Sequence, residues 1–271
     1  MKKPERIVVL GIGKSGTTAL YFRIKNSFPK KHKDFFEPKE AIEIAEKISM
    51  EDNVIAKILI PVDEKYLKKI NDFFIKKVLI VRDPRDIIVS SLLYTGAFNY
   101  LWRMEEKYIL KCLSLLEKKE ENPASLSVIE LLGALTNNKV SLPFYKDYIR
   151  KSLLFSEKLS NADCFTIKYE DMIENKLREV EEYLGFKLLN NTTIDQKYRR
   201  VIRTKKSEDW KNWFLDDDEA FFQPLFESYL KKYGYEPWKK VNRKMIDAKD
   251  SSKYVKKIVN EKRALEGYPQ I

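Results

Sequence analysis

The stretch Gly11–Thr18 concentrates residue types that bind phosphate-like anions. Three of the eight glycines of the chain fall within it: Gly11, Gly13 and Gly16. Glycine tolerates positive φ and leaves no side chain between a ligand and the backbone amides. The other donors are the ammonium of Lys14 and the hydroxyls of Ser15, Thr17 and Thr18. This set favours the binding of an anionic group, because a plain tight turn with a helix cap would need neither the lysine nor three hydroxyls.

The flanking sequence predicts that this loop joins a strand to a helix. Ile7–Leu10 is an apolar, largely β-branched run ended by glycine, which is typical of a buried strand. Thr17–Asn26 has apolar residues one turn apart, which is typical of a helix. A helix N-terminus carries unpaired N–H groups and a partial positive charge. We therefore expect an anion site where this helix begins.

Neither of the two common nucleotide-binding loops fits this spacing well. A triphosphate loop, G-x-x-x-x-G-K-[ST], would need a glycine at Val8, five residues before Gly13. The dinucleotide fingerprint G-x-G-x-x-G fits the three glycines, but Lys14 is unusual within it, and no clear acidic residue follows about twenty positions later. A small-molecule or nucleotide kinase is the alternative enzyme at this point.

The segment Gly13–Thr18 resembles the 5′-phosphosulfate loop of the sulfotransferases, which use 3′-phosphoadenosine-5′-phosphosulfate (PAPS) as donor. The family usually has proline at Gly13 and often an aromatic residue where this chain has Ala19. The resemblance implies a P-loop-like α/β fold and in-line transfer of a sulfuryl group to a hydroxyl or amine, with no metal. It assigns donor binding to Lys14, Ser15, Gly16, Thr17 and Thr18, and charge stabilisation on the leaving oxygen to Lys14.

A second segment, Val81–Ser90, combines an arginine at a strand end with a serine eight residues later. The guanidinium of Arg82 offers a fork of donors to a phosphate, and Ser90 lies about two turns into the helix that follows. The segment is similar to the 3′-phosphate segment of the sulfotransferases. The alternative is a helix-capping cluster of salt bridges formed by Arg82, Asp83, Arg85 and Asp86.

Two further segments carry the same resemblance. Arg203–Phe214 is similar to the late segment that closes over the 3′-phosphate, which implies donor contacts from Arg203, Thr204 and Lys205. Tyr169–Met172 resembles the Tyr-Glu-Asp segment after a central strand, where Tyr169 would touch the adenine.

The hydroxyl or amine that accepts the sulfuryl group must lose a proton to a general base. Few residues are candidates for this base, because His32 is the single histidine. Ala56–Pro61 looks like the Lys-Thr-His segment of many cytosolic sulfotransferases, but Leu59 occupies the histidine position. The segment around Glu37 resembles that of the carbohydrate- and protein-modifying branches, which often use a glutamate as base. Phe35 and Phe36 precede it, and we expect them to desolvate its carboxylate. His32 is a second candidate, and a surface carboxylate at Glu37 is the alternative.

Strand–helix alternation predicts a single α/β domain with a central parallel sheet flanked by helices. Further strands are predicted at Val54–Ile60, Lys77–Val81 and Asp163–Lys168, and helices at Glu40–Ile48, Glu64–Phe74, from about Ile87, and at Met172–Leu184. Asn190–Leu215 is predicted to be loop. We assign residues 1–240 to this domain, with a mainly helical acceptor or lid region at 92–160, and residues 241–271 to a Lys-rich helical extension.

Composition limits the partners. Fifty-two Lys and Arg against forty-one Asp and Glu give the 271 residues a net charge of +11, which favours an anionic partner. Two cysteines form no disulfide framework or zinc cluster, and reduced thiols favour a cytoplasmic protein. No apolar run is long enough to span a membrane. We expect no nucleic acid partner, although a non-enzymatic basic binding module remains the alternative from another class. The acceptor and the oligomeric state stay open.

Overall fold

The computed structural model describes residues 4–38, 42–238 and 243–271. Its strands are β1 (Arg6–Ile12), β2 (Lys33–Phe36), β3 (Val54–Ile60), β4 (Lys76–Val81) and β5 (Phe165–Lys168). They form one five-stranded sheet in the order β2-β3-β1-β4-β5, and every neighbouring pair is parallel. This confirms the predicted α/β fold with a parallel sheet.

Eleven helices occur within the described residues. They are α1 (Thr17–Ser27), α2 (Ile42–Ala45), α3 (Glu64–Phe73), α4 (Pro84–Thr95), α5 (Glu106–Glu121), α6 (Val128–Thr136), α7 (Leu142–Ser160), α8 (Tyr169–Ile173), α9 (Arg178–Leu184), α10 (Asp216–Tyr233) and α11 (Ser252–Leu265). A π-helical turn, Gly96–Tyr100, follows α4.

The central strands are largely apolar because helices cover both faces of a parallel sheet. The side chains from Ile7 to Leu10 are fully buried in β1, as are those of Val78 and Leu79 in β4. Polar caps define where the helices begin. The carboxylate of Asp63 accepts the backbone N–H of Tyr66 at the start of α3, and Asp83 precedes Pro84 at the start of α4.

The chain forms two compact units. The first, Met1–Arg82 with Lys151–Arg199, contains the whole sheet. The second, Asp83–Arg150 with Arg200–Ile271, is helical and contains α11. The predicted division at residues 240 and 241 stays a prediction, and it falls within 239–242, outside the described residues. Residues 39–41, where the predicted helix Glu40–Ile48 begins, also lie outside them.

Three local predictions differ from the structure. Strand β2 was not predicted, because it is a short edge strand whose Lys33 and Asp34 are exposed. The predicted helix Met172–Leu184 is interrupted, since Asn175 adopts a left-handed φ of 58° between α8 and α9. The predicted loop Asn190–Leu215 contains two short 3-10 turns, Gln196–Val201 and Asp209–Asn212.

Candidate active site

Parallel strands bring four of the sequence-predicted regions to one edge of the sheet. The loop from Gly13 follows β1, Glu37 follows β2, Arg82 follows β4 and Tyr169 follows β5. Because all five strands run in the same direction, these positions share the carboxyl edge. Open α/β sheets bind their ligands at this edge.

The loop after β1 is held in a tight conformation that needs glycine at two places. The N–H of Ser15 donates to the carbonyl of Ile12 at 3.0 Å. A Cβ atom at Gly11 would lie 2.7 Å from Ser15 Oγ, and Gly16 has a φ of 101°. Gly13 differs, because a Cβ atom there would meet nothing within 4 Å. A Cβ atom at that position would therefore be accommodated.

Donors accumulate where this loop enters α1. The first turn of α1 contains no acidic residue, and its N-cap, Gly16, has no side chain to accept a hydrogen bond. Ser15 is fully buried, and its Oγ has no hydrogen-bond partner among the residues that the structure describes. Thr17 and Thr18 are also buried. An orphaned buried hydroxyl beside an uncapped helix N-terminus fits an anionic ligand.

Arg82 and Tyr169 lie against this loop. The side chain of Arg82 is buried, and its Nη1 donates to the carbonyl of Lys14 at 3.2 Å. Its guanidinium carbon lies 4.2 Å from the centroid of the Tyr169 ring. A Cβ atom built on Gly16 would lie 2.5 Å from the same ring. The structure thus brings Lys14, Gly16, Arg82 and Tyr169 together.

Glu37 forms an ion pair with Lys57 of β3. The Lys57 side chain is 2% exposed and donates from Nζ to Glu37 Oε1, whereas the Glu37 side chain is 40% exposed. The Glu37 N–H donates to the carbonyl of Lys57 at 2.9 Å. Nζ of Lys57 also lies 4.2 Å from the centroid of the Phe36 ring. The sequence predicted that apolar side chains would desolvate the Glu37 carboxylate. In the structure this carboxylate is instead accessible and ion-paired.

Lys57 is a functional candidate to which sequence reasoning gave no role. Burial lowers the pKa of Lys57 from its ordinary value, and the Glu37 carboxylate opposes that shift. A lone charge inside the apolar run Val54–Ile60 was the available signal, because a buried lysine needs a partner. The partner lies twenty residues earlier in the chain, just after the neighbouring strand β2, so the pairing becomes visible only through the sheet.

His32, the second candidate base, lies just before β2. Its Nδ1 is 3.0 Å from the carbonyl oxygen of Lys30, and its ring packs edge-on against Phe28 with centroids 5.4 Å apart. These contacts give His32 a place in local packing.

The other predicted donor residues belong to the second compact unit: Ser90, Arg203, Thr204 and Lys205. Ser90 is buried on α4, and Lys205 is exposed. The Arg203 side chain is 1% exposed and forms an ion pair with Asp209 at 2.7 Å. It also donates to the carbonyl of Asp250 at 3.0 Å. Arg203 is thus held in a fixed orientation by two partners.

The charges at the start of α4 have structural roles within the second unit. Arg85 is fully buried, pairs with Asp83 at 2.7 Å and lies 3.7 Å from the Trp210 ring centroid. Asp86 accepts the N–H groups of Glu208 and Trp210 at 2.8 and 2.9 Å. The salt-bridge alternative therefore describes Asp83 and Arg85, while Asp86 connects α4 to the segment that follows Arg203.

The described residues offer neither a metal site nor a membrane-spanning helix. No group of three or more His, Cys, Asp or Glu side chains in residues 4–38, 42–238 and 243–271 could hold a metal ion. No helix in this part of the chain is long and apolar enough to cross a membrane.

Comparisons with known proteins agree with this geometry. The sulfotransferase domain family matches residues 4–188, which is more than half of the chain. The crystal structure of mouse sulfotransferase SULT7A1 complexed with PAP is similar in fold, with a TM-score of 0.53 and 18% identity. That similarity covers 84% of this chain and 85% of the mouse chain. No curated protein sequence matches. The family match over residues 4–188 shows that the chain belongs to the sulfotransferase family.

Proposed function

We propose that this sulfotransferase takes its sulfuryl group from PAPS, bound at the loop between β1 and α1. The observation that carries the proposal is the fully buried Ser15 hydroxyl, which has no partner among the described residues and lies beside an uncapped helix N-terminus. A doubly anionic phosphosulfate would supply acceptors for it. The similar mouse enzyme was solved with PAP, which supports a nucleotide of this kind.

The residues present suit the two ends of such a donor. Lys14, Ser15, Gly16, Thr17 and Thr18 are assigned to the 5′-phosphosulfate. Their amides, hydroxyls and ammonium match the negative charge that grows on the leaving oxygen. The 3′-phosphate and the adenine are assigned to Arg82, Ser90, Tyr169, Arg203, Thr204 and Lys205. Burial of Arg82 and Arg203 supports this, since a desolvated guanidinium interacts strongly with phosphate.

The sulfuryl group of the donor passes in line to an acceptor oxygen or nitrogen. The bond from sulfur to the bridging oxygen breaks, and adenosine 3′,5′-bisphosphate leaves. This chain positions the reactants and stabilises charge, which is the main protein contribution to a loose displacement of this kind. Lys14 holds the leaving oxygen. The transfer is direct, so no residue forms a covalent intermediate.

Glu37 is the proposed general base for the acceptor proton. Its carboxylate is accessible, stands at the carboxyl edge of the sheet and is oriented by the buried Lys57. General base catalysis needs a carboxylate within hydrogen-bond reach of the acceptor proton, and the ion pair restricts the positions that the carboxylate adopts.

We also expect a cytoplasmic location, because both cysteines are free thiols.

Turnover with ³⁵S-labelled PAPS tests this function. The full chain is incubated with four acceptor classes (glycan, lipid, peptide and small alcohol), with γ-labelled Mg-ATP as a parallel donor. We expect label to move from PAPS into at least one class. Glu37→Gln should lower kcat by about 100-fold or more. Glu46→Gln, an exposed glutamate in the same unit, should leave kcat unchanged.

The outcomes separate the alternatives. Label transferred from ATP and not from PAPS would identify a kinase and overturn the proposal. Full activity of Glu37→Gln with PAPS would leave the donor assignment intact and return Glu37 to a surface carboxylate.

A further inference from the structure

The ring of Tyr169 has two close neighbours in the first compact unit. The guanidinium carbon of Arg82 lies 4.2 Å from its centroid, a distance at which cation–π attraction is strong. The ring also fills the space above Gly16, where a Cβ atom would come within 2.5 Å of it. Tyr169 is 6% exposed, so both contacts are shielded from water.

These contacts limit how Arg82 can be oriented. Its Nη1 donates to the carbonyl of Lys14 at 3.2 Å while its guanidinium carbon lies over the Tyr169 ring. Arginine recognises phosphate through a planar fork, and a fork that is already oriented loses less entropy on binding. A flat aromatic surface provides this support, whereas an aliphatic side chain of similar volume provides packing without the charge attraction.

We propose that Tyr169 is a positioning residue for the donor's 3′-phosphate and acts through Arg82, in addition to any contact with the adenine. The inference rests on the proposed donor site. It gives the ring a role that depends on the 3′-phosphate, whereas a contact with adenine or a packing role would not depend on that group.

Two ligands distinguish these roles, adenosine 3′,5′-bisphosphate and adenosine 5′-phosphate, which share the base and the 5′-phosphate. Their binding to the full chain is measured by calorimetry for the unchanged protein, Tyr169→Phe and Tyr169→Leu. We expect Tyr169→Leu to lose about tenfold in affinity for the bisphosphate and less than about twofold for the monophosphate. Tyr169→Phe keeps the ring and should stay within about twofold for both ligands.

Arg82→Gln provides the coupling test. Once Arg82 is replaced, adding Tyr169→Leu should cost little further affinity for the bisphosphate, because the ring would no longer have a guanidinium to orient. Pentafluorophenylalanine at position 169 serves where Tyr169→Leu does not fold. It keeps the shape of the ring but reverses its quadrupole, so the bisphosphate should again be affected selectively.

Equal losses for the two ligands would overturn the inference and assign the ring to adenine contact or packing. Additive losses in the double variant would overturn it as well. If the unchanged protein binds neither ligand, the donor site itself fails, which is a separate result from failure of the positioning role.

Discussion

At the residue scale, both proposed catalytic residues have a backbone conformation that non-glycine residues rarely adopt. φ is 72° at Lys14 and 53° at Glu37. Such conformations cost about 1 to 3 kcal/mol each and are found where the surrounding structure holds them, often at active sites. The turn bond from Ser15 to Ile12 and the contact of Arg82 with the Lys14 carbonyl hold the loop. We infer that it is preorganised for its ligand.

Lys14→Met is expected to lower kcat with PAPS by about 100-fold or more, because the positive charge at the leaving oxygen is lost. The chain should remain folded, because the Lys14 side chain is only partly buried and methionine is similar in length. Steady-state kinetics and circular dichroism measure the two effects. Lys31→Met, at an exposed lysine of the same unit, is the matched control. Undiminished turnover in Lys14→Met would contradict the assignment.

Sequence alone could predict part of this site. The loop, Arg82 and Tyr169 each follow a predicted strand, so their convergence at one sheet edge follows from the parallel fold. Lys57 could not be assigned in the same way, because its pairing with Glu37 depends on the edge strand β2, which has little apolar signal.

At the element scale, the glycines of the β1–α1 loop differ in what they tolerate. Gly16→Ala places a side chain at a φ of 101° and within 2.5 Å of the Tyr169 ring. We expect it to lower the free energy of unfolding by about 1 to 3 kcal/mol and to weaken bisphosphate binding. Gly13→Ala meets nothing within 4 Å and should change stability by less than about 0.5 kcal/mol. Urea denaturation compares the two, and equal effects would contradict the loop geometry.

The connection between α5 and α6 depends on a buried amine. Lys119 is fully buried and donates to the carbonyls of Pro123 and Leu126. Burial lowers the pKa of Lys119 from 10.5 to about 8, so between these values the unfolded chain holds a proton that the folded chain has lost. The free energy of unfolding therefore gains a contribution from Lys119 that rises with pH in this window.

The difference in stability between the unchanged protein and Lys119→Met isolates that contribution from other titrating groups. We expect it to rise by about 1 kcal/mol per pH unit between pH 8 and 10.5, the ordinary value for this amine. Lys118→Met, at the exposed neighbour, should show no such slope. A flat difference for Lys119→Met would show that the amine is not desolvated in the folded chain.

The elements that the sequence predicts well are those that consist mainly of apolar residues. The apolar run of β3 was predicted with the bounds that the structure has, Val54–Ile60. The break between α8 and α9 was not, because Asn175 is a polar residue whose left-handed φ depends on neighbouring structure. Arg23, for example, donates to the side chain of Asn175 at 2.5 Å from a distant helix.

At the scale of the whole molecule, the Lys-rich C-terminal region is part of the packed structure. Helix α11 buries one face, with Tyr254, Val255, Ile258 and Val259 all less than a tenth exposed. Three of its lysines, Lys253, Lys256 and Lys257, are exposed, whereas Lys262 is partly buried against the Phe98 and Trp102 rings. Composition predicted a charged helix here, but it could not show that the opposite face packs within the second unit. The three exposed lysines therefore form a solvated face of α11.

Ile258→Ala is expected to lower the free energy of unfolding by about 2 to 4 kcal/mol, because Ile258 is fully buried and the substitution leaves a cavity. Lys257→Ala, at the adjacent residue whose side chain is 63% exposed, should stay within about 0.5 kcal/mol. Chemical denaturation measures both. Equal, small effects would mean that α11 is a loosely attached extension.

The thermal unfolding of the full chain with adenosine 3′,5′-bisphosphate, measured beside Mg-ATP, tests the central claim of a PAPS-type donor site most directly. At a bisphosphate concentration of about 100 Kd, binding adds about 2.7 kcal/mol, so we predict a rise in Tm of several degrees. Mg-ATP should give a much smaller rise. A rise with Mg-ATP and none with the bisphosphate would contradict the account in favour of a kinase. No rise with either, together with salt-sensitive binding to polyanions, would contradict it in favour of a basic binding module.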